Sequence, residues 1–177
     1  MNEATARTTT DTLAQDTLSR VCLPEEQLFL GVEHETQERH RFRGFELSFL
    51  PSSVPISQLM AALGMDCEQR LERLKEKAKG LQMSEPLVLS HHPGTMPTDM
   101  RRQHFFVIDR LMACEALKNA LAAGEHSRQF YTQLLAVCSA PELRPLFEEI
   151  VEQKENACRI LEEVQENARL LKDVSAE

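Results

Sequence analysis

Apolar residues recur every three to four positions through most of this chain, a spacing that restricts it to helices packed side by side. Strand signals are nearly absent: there is no Trp, a single Tyr, and little strict alternation of apolar and polar residues. Prolines then cut the helical pattern into pieces. The first piece is short, opening near Thr10 and Asp11 with Leu13, Thr17, Leu18 and Val21 on one side. It ends at Leu23, because a residue before proline is pushed out of the helical region. Pro24 suits the first position of a second helix, and Glu25 and Glu26 favour its positive end. This helix is expected over 24–49, with Leu28, Val32, Glu35, Phe42, Phe45 and Phe49 on its stripe. A carboxylate, Glu35, therefore lies on an apolar face. Residues 51–55 form a loop. A third helix runs to 79 with Leu59, Leu63, either Asp66 or Cys67, Arg70, Leu74 and Ala78 inward, and Gly80 supplies a stop.

The next stretch, GLQMSEPLVLSHHPGTMP (80–97), holds Pro86, Pro93 and Pro97 and cannot be one helix. A loop of this length in a compact domain is explained if it crosses from one end of a bundle to the other. Helical spacing resumes over 98–139 through Phe106, Leu111, Cys114, Leu117, Leu121, Tyr131, Leu135 and Cys138. Unbroken, that helix would measure about 60 Å, so a bend at 122–124 or disorder in its first turns is expected. A last helix follows over 141–172. The chain thus divides into a disordered tail (1–10) and a single helical domain (11–174). Within the domain lie a first helix pair (24–79), a crossover (80–97) and a second pair (98–172). Its 177 residues suffice for one full core.

A net charge of −8 argues against nucleic acid or an anionic membrane as the main partner. The one basic run, ERHRFRG (38–44), reads as a solvated helix face. No apolar run approaches the roughly 18 residues of a membrane span, and MNEATARTTTDT has no secretory h-region. Five dispersed cysteines (Cys22, Cys67, Cys114, Cys138, Cys158), without Cys-x-x-Cys, suit reduced, buried thiols in a cytoplasmic protein. There is no Gly-x-Ser-x-Gly and no phosphate-cradling or dinucleotide glycine pattern. His91, His92 and His104 lack a carboxylate or Cys at metal-ligand spacing. A second group, His34, Glu38 and His126, meets only if the second helix pairs with the fourth.

The third and last helices overlay without a gap. Leu59 falls on Leu146, Leu63 on Ile150, Glu68 on Glu155 and Leu74 on Leu161. In that register Asp66 meets Gln153 and Gln69 meets Asn156, so both halves carry a polar i, i+3 pair at one level. Two helices, a long crossing and two more helices, each half closed by such a pair, resemble the ferritin-like superfamily in its rubrerythrin-type branch. The most specific stretch is EHSRQFYTQLLAVCSAPELRPLFEEIVEQKENACRILEEV (125–164). It is similar to that branch's pattern of a Glu six residues before the Tyr of an FY pair, a short loop, and an acidic helix ending in Glu-x-x-His-Ala.

The resemblance implies an all-α, ferritin-like four-helix bundle, two helix pairs joined by a long crossover, here with a short extra N-terminal helix. Two neighbouring irons need several anionic oxygens and a pair of imidazoles pointing inward. By the resemblance, the isolated carboxylates are Glu35 and Glu125. The paired ligands fall on Asp66 and Gln69 in the first half, and on Gln153 and Asn156 in the second. Neither imidazole is retained, so the usual di-iron centre is expected to be lost. Gln153 and Asn156 then read as a buried amide pair, with Glu35 and Glu125 neutralised by Arg39, Arg70 and Arg128. This describes a non-catalytic binding or assembly module with no cofactor, a homodimer by resemblance, and open to a protein partner. The alternative is a rubrerythrin-like oxidoreductase handling iron or peroxide. It would hold iron or manganese through Glu35, Asp66, Glu125 and Glu152, or a histidine from elsewhere. A third possibility is a helical bundle unrelated to ferritins, in which 80–97 folds back locally.

Overall fold

A computed structural model describes residues 23–81 and 106–173, with side chains through residue 168. Among them are four α-helices and no strand: α1 (Pro24–Phe49), α2 (Val54–Gly80), α3 (Arg110–Ala136) and α4 (Arg144–Asp173). The tail, the short helix expected before Leu23, Cys22, most of the crossover with His91 and His92, and His104 beyond it lie outside the described residues.

Local chemistry sets the helix ends. Leu23 is extended, and Pro24 occupies the first turn of α1, where no backbone donor is lost. The α1–α2 turn is tied by Ser57, whose hydroxyl donates to the Glu46 carbonyl at 2.9 Å. At the start of α3, Asp109 accepts the Met112 N–H at 2.8 Å, an N-cap that satisfies one free donor of the first turn. This corrects the expected helix over 98–139 at residues 106–109; its part over 98–105 lies outside the described residues. Residues 106–108 are not helical, because the Val107 N–H donates to the Ser48 carbonyl at 2.9 Å while its side chain is buried. The last helix likewise begins at Arg144 rather than near 141, after a turn in which the Leu143 N–H donates to Ala140. From Arg110, α3 runs unbroken through 122–124, about 40 Å long.

Side-chain pairs show how the helices run. Glu35 lies level with Arg70 and Glu46 with Ser57, so α1 and α2 are antiparallel. Gln27 lies level with Val137 and His34 with Ser127, so α1 and α3 are antiparallel too. Arg70 lies level with Gln153 and Arg73 with Glu149, so α4 is antiparallel to α2. Gly124 lies level with Cys158 while Arg144 reaches the Cys138 carbonyl, so α4 is antiparallel to α3 as well. It follows that α2 and α3 point the same way. Leu81 packs with the cluster around Leu28 and Leu146, whereas Val107 packs with Phe45 and Phe49. The α2–α3 connection therefore joins opposite ends of the bundle. Residues 82–106 suffice, since an extended chain of that length reaches about 80 Å.

The core has two apolar clusters. One gathers Leu28, Val32, Leu74, Tyr131, Leu134, Phe147 and Ile150; the other gathers Phe42, Phe45, Phe49, Met60, Leu63, Leu117 and Leu161. Every helix passes from one cluster to the other, and in between each carries a polar residue or glycine. Those positions make the site.

Candidate functional site

Glu35 is fully buried midway along α1, and an isolated carboxylate there would be protonated or would unfold its surroundings. Two cations prevent this. The Arg70 Nε of α2 donates to Glu35 Oε2 at 2.9 Å, and Lys154 Nζ of α4 lies 2.8 Å from Oε1. Arg70 and Lys154 are themselves 5 % and 3 % exposed, so three ions share one dry layer. The Lys154–Glu35 contact is charge-assisted and occupies at most one of the three N–H donors of the ammonium. The ammonium also stands 5.6 Å from the centroid of the buried Tyr131 ring, within cation–π range. Arg70 spends its other nitrogens on Gln153 Oε1 (3.3 Å) and Cys67 Sγ (3.2 Å). Tyr131 donates to the Gly31 carbonyl at 3.3 Å, a long-range tie between α1 and α3.

The electrostatics follow from these contacts. Burial alone would raise the Glu35 pKa, but Lys154 and Arg70 outweigh it and hold the carboxyl down to about 2. Burial pushes the Cys67 thiol up to about 12 and holds the Tyr131 phenol well above its ordinary value. The innermost acid is thus ionised at neutral pH, and its thiol and phenol neighbours stay neutral. None of the three is poised near neutrality for proton transfer or nucleophilic attack.

On the flank toward α3, His34, Glu38 and His126 do come together. The His34 ring stacks on Phe130 at 4.1 Å, lies 6.4 Å from the His126 ring, and shares a 2.8 Å hydrogen bond with the Ser127 hydroxyl. Burial, and then Lys154, lower its pKa below the ordinary 6.5, so it is a neutral packing element. Glu38 is 1 % exposed and pairs with Arg41 one turn on. The basic run 38–44 is neutralised residue by residue: Arg39 pairs with Glu68, Arg41 with Glu38, and Arg43 with Glu46.

Of the expected metal residues, only Glu35 reaches the centre. Glu125 is half-exposed and bound to Arg128 of its own helix at 2.9 Å, while Asp66 and Glu152 face solvent. The buried amide pair is also corrected. Gln153 is half-buried, bridging Arg70 and Glu149, and Asn156 is exposed, bonded to Arg159. Arg39 goes to Glu68 rather than to the centre. One physical slip accounts for most of this. A stripe stepping by three or four residues has two adjacent solutions: of the two left open on α2 the bundle turns in Cys67 rather than Asp66, and on α4 it turns in Lys154 where Gln153 is expected. The overlay of α2 on α4 does hold for the buried face. Met60 and Phe147, Leu63 and Ile150, Cys67 and Lys154, and Leu74 and Leu161 are buried in matching pairs. Lys154 therefore stands on the buried face of α4, between Ile150 and Leu161.

The burial patterns of α1 and α3 coincide as well when Leu28 is laid on Leu117, Phe42 on Tyr131 and Phe45 on Leu134. Glu35 then falls on Gly124, and Glu38 on Ser127. A Cβ at Gly124 would stand 3.2 Å from Cys158 Sγ, so the second half offers close-packed backbone where the first offers a carboxylate. These residues do not fit a pair of irons. The single central carboxylate is already matched by two cations, and among the described residues no three His, Cys, Asp or Glu side chains converge as a metal site would require. Among the described residues, no helix is long and apolar enough to cross a membrane. Comparison with protein-family models, with curated proteins and with solved structures returns no match to this chain.

Proposed function

We propose that this protein is a non-catalytic, ferritin-like binding or assembly module in which an ion-pair cluster stands where that superfamily holds two irons. The observation that carries the proposal is the clamping of Glu35, the carboxylate given to the metal by resemblance, between buried Arg70 and Lys154. A dication at this level would face two fixed positive charges in a low-dielectric layer, and it would gain one carboxylate. The parallel run of α2 and α3, with its end-to-end connection, supports the ferritin-like plan, since bundles with one long crossover share it. The dispersed cysteines, of which Cys67 is kept as a neutral thiol, support a reducing, cytoplasmic setting. Helix faces are the surfaces left for association, and a homodimer is the form in which such a module works.

Metal analysis tests the central claim. Protein purified from medium supplemented with iron and manganese should carry far less than one metal per chain, and Glu35→Ala should not change that content. One or two metals per chain, lost on Glu35→Ala or Glu125→Ala, would instead establish the iron- or manganese-binding oxidoreductase. That outcome requires Asp66 and Glu152 to turn inward from solvent.

A further inference from the structure

Glu38 plays no part in the clamp on Glu35, yet it is as deeply buried. It lies one turn further along the same face of α1 and has one satisfied oxygen. Arg41 binds Oε1, whereas Oε2 is buried without a hydrogen-bond partner. Lys154 Nζ is in the complementary state: it is buried, its contact with Glu35 occupies at most one of its three N–H donors, and no other hydrogen-bond partner meets it among the described residues. The groups facing Glu38 come from all four helices: Glu35 and Arg41 from α1, Cys67 from α2, His126 from α3 and Lys154 from α4. Cys67 is held neutral, and Glu35 repels a second negative charge. Among these facing groups, the cations supplied by the other helix pair are Lys154 and, when protonated, His126.

We propose that Glu38 is the proton-binding member of a pH-responsive clamp across the bundle, in which Lys154 holds Glu35 alone while Glu38 is protonated and is shared by both carboxylates once Glu38 ionises. Geometry supports this through two buried carboxylates one helical turn apart and a single ammonium opposite them with donors to spare. Burial raises the Glu38 pKa above the ordinary 4.5, against the pull of Lys154 and Arg41. An acid whose pKa is raised in the folded state binds more protons folded than unfolded. Its contribution is therefore complete at acid pH and is lost as pH climbs from 4.5 through the raised value. The clamp thus links pH to the α1–α4 diagonal, the seam between the two hairpins.

Thermal melts of wild type and Glu38→Gln across pH 4 to 8 provide the test, since the amide keeps the shape and cannot ionise. The two should melt together near pH 4, with the variant melting progressively higher than wild type as pH rises to 8. A gap that does not change with pH would overturn the proposal. In the wild-type protein, NMR signals of the Glu38 carboxyl carbon and the Lys154 Nζ should move with one midpoint above 4.5. A Lys154 signal that stays fixed while Glu38 titrates would also overturn it.

Discussion

Where α1 carries Glu35, α3 carries Gly124, and where α2 carries Cys67, α4 carries Lys154. The two hairpins bury matching positions, but they fill the middle layer with different chemistry. The α1–α2 hairpin contains both an anion and a cation, Glu35 and Arg70, already paired. The α3–α4 hairpin brings one innermost charge, Lys154, and no carboxylate at its level. It can bury that ammonium only against α1. Two apolar hairpins of similar pattern could pack in several ways, but here charge selects one. A second α3–α4 hairpin in place of the first would bury two ammonium groups and no acid, a cost of several kcal/mol. The polar layer therefore encodes which halves meet.

The strongest way to break this comparison is to remove the anion. Glu35→Ala leaves Arg70 and Lys154 buried without a counter-charge and should cost about 3–5 kcal/mol in denaturant unfolding. A loss under about 1 kcal/mol would mean that the layer is wet and the ions are screened. Next in size is the glycine opposite. Gly124→Leu must place a side chain where Cys158 Sγ already stands 3.2 Å from the new Cβ, with Leu161 at 3.5 Å, and overpacking of this kind costs about 1–3 kcal/mol. Gly44, also inside a helix, has nothing within 4 Å of its new Cβ, so Gly44→Ala should stabilise by about 0.5–1 kcal/mol through helix propensity. If both substitutions moved stability in the same direction, close packing at Gly124 would not be what separates the halves.

Much of this architecture could be read from residue order, and the failures are instructive. Prolines at 24 and 55 mark helix starts that the structure keeps, because each acts through local backbone geometry, and α2 ends on Gly80 itself. Glu35 was legible because a carboxylate among Leu28, Val32 and Phe42 must have a partner. Lys154 was missed for the converse reason. Set in EEIVEQKENA, a lysine resembles its solvated neighbours, and only tertiary packing turns it inward. The start of α3 was misplaced because helical spacing continues upstream of Asp109. A single backbone hydrogen bond from Val107 to Ser48, remote in sequence, decides otherwise.

Acid should sharpen the contrast further. With its folded pKa near 2 against an ordinary 4.5, Glu35 contributes stability that is fully present above pH 4.5 and is lost as pH falls toward 2. His34, lowered from 6.5, acts in the same sense, losing its contribution as pH falls below 6.5. In a Glu38→Gln background, which removes the opposing contribution of Glu38, unfolding free energy measured from pH 7 down to 2 should therefore decline in two stages. Glu35→Gln should flatten the more acidic stage and His34→Gln the milder one. An acid limb unchanged in Glu35→Gln would show that the clamp does not ionise as described.

The smallest effect is the most discriminating. Resemblance gives Glu125 the same task as Glu35, yet Glu125 is a half-exposed member of an i, i+3 pair with Arg128. Such pairs are solvated in both folded and unfolded states and hold two flexible side chains in place, so their net worth is about 0–1 kcal/mol. Glu125→Ala should accordingly change stability by no more than that, and added salt should erase the difference, whereas salt should barely touch the loss in Glu35→Ala. Equal losses for the two glutamates, both insensitive to salt, would mean that Glu125 also turns into the layer. The halves would then be chemically symmetric, and the pairing rule drawn from Lys154 would fail.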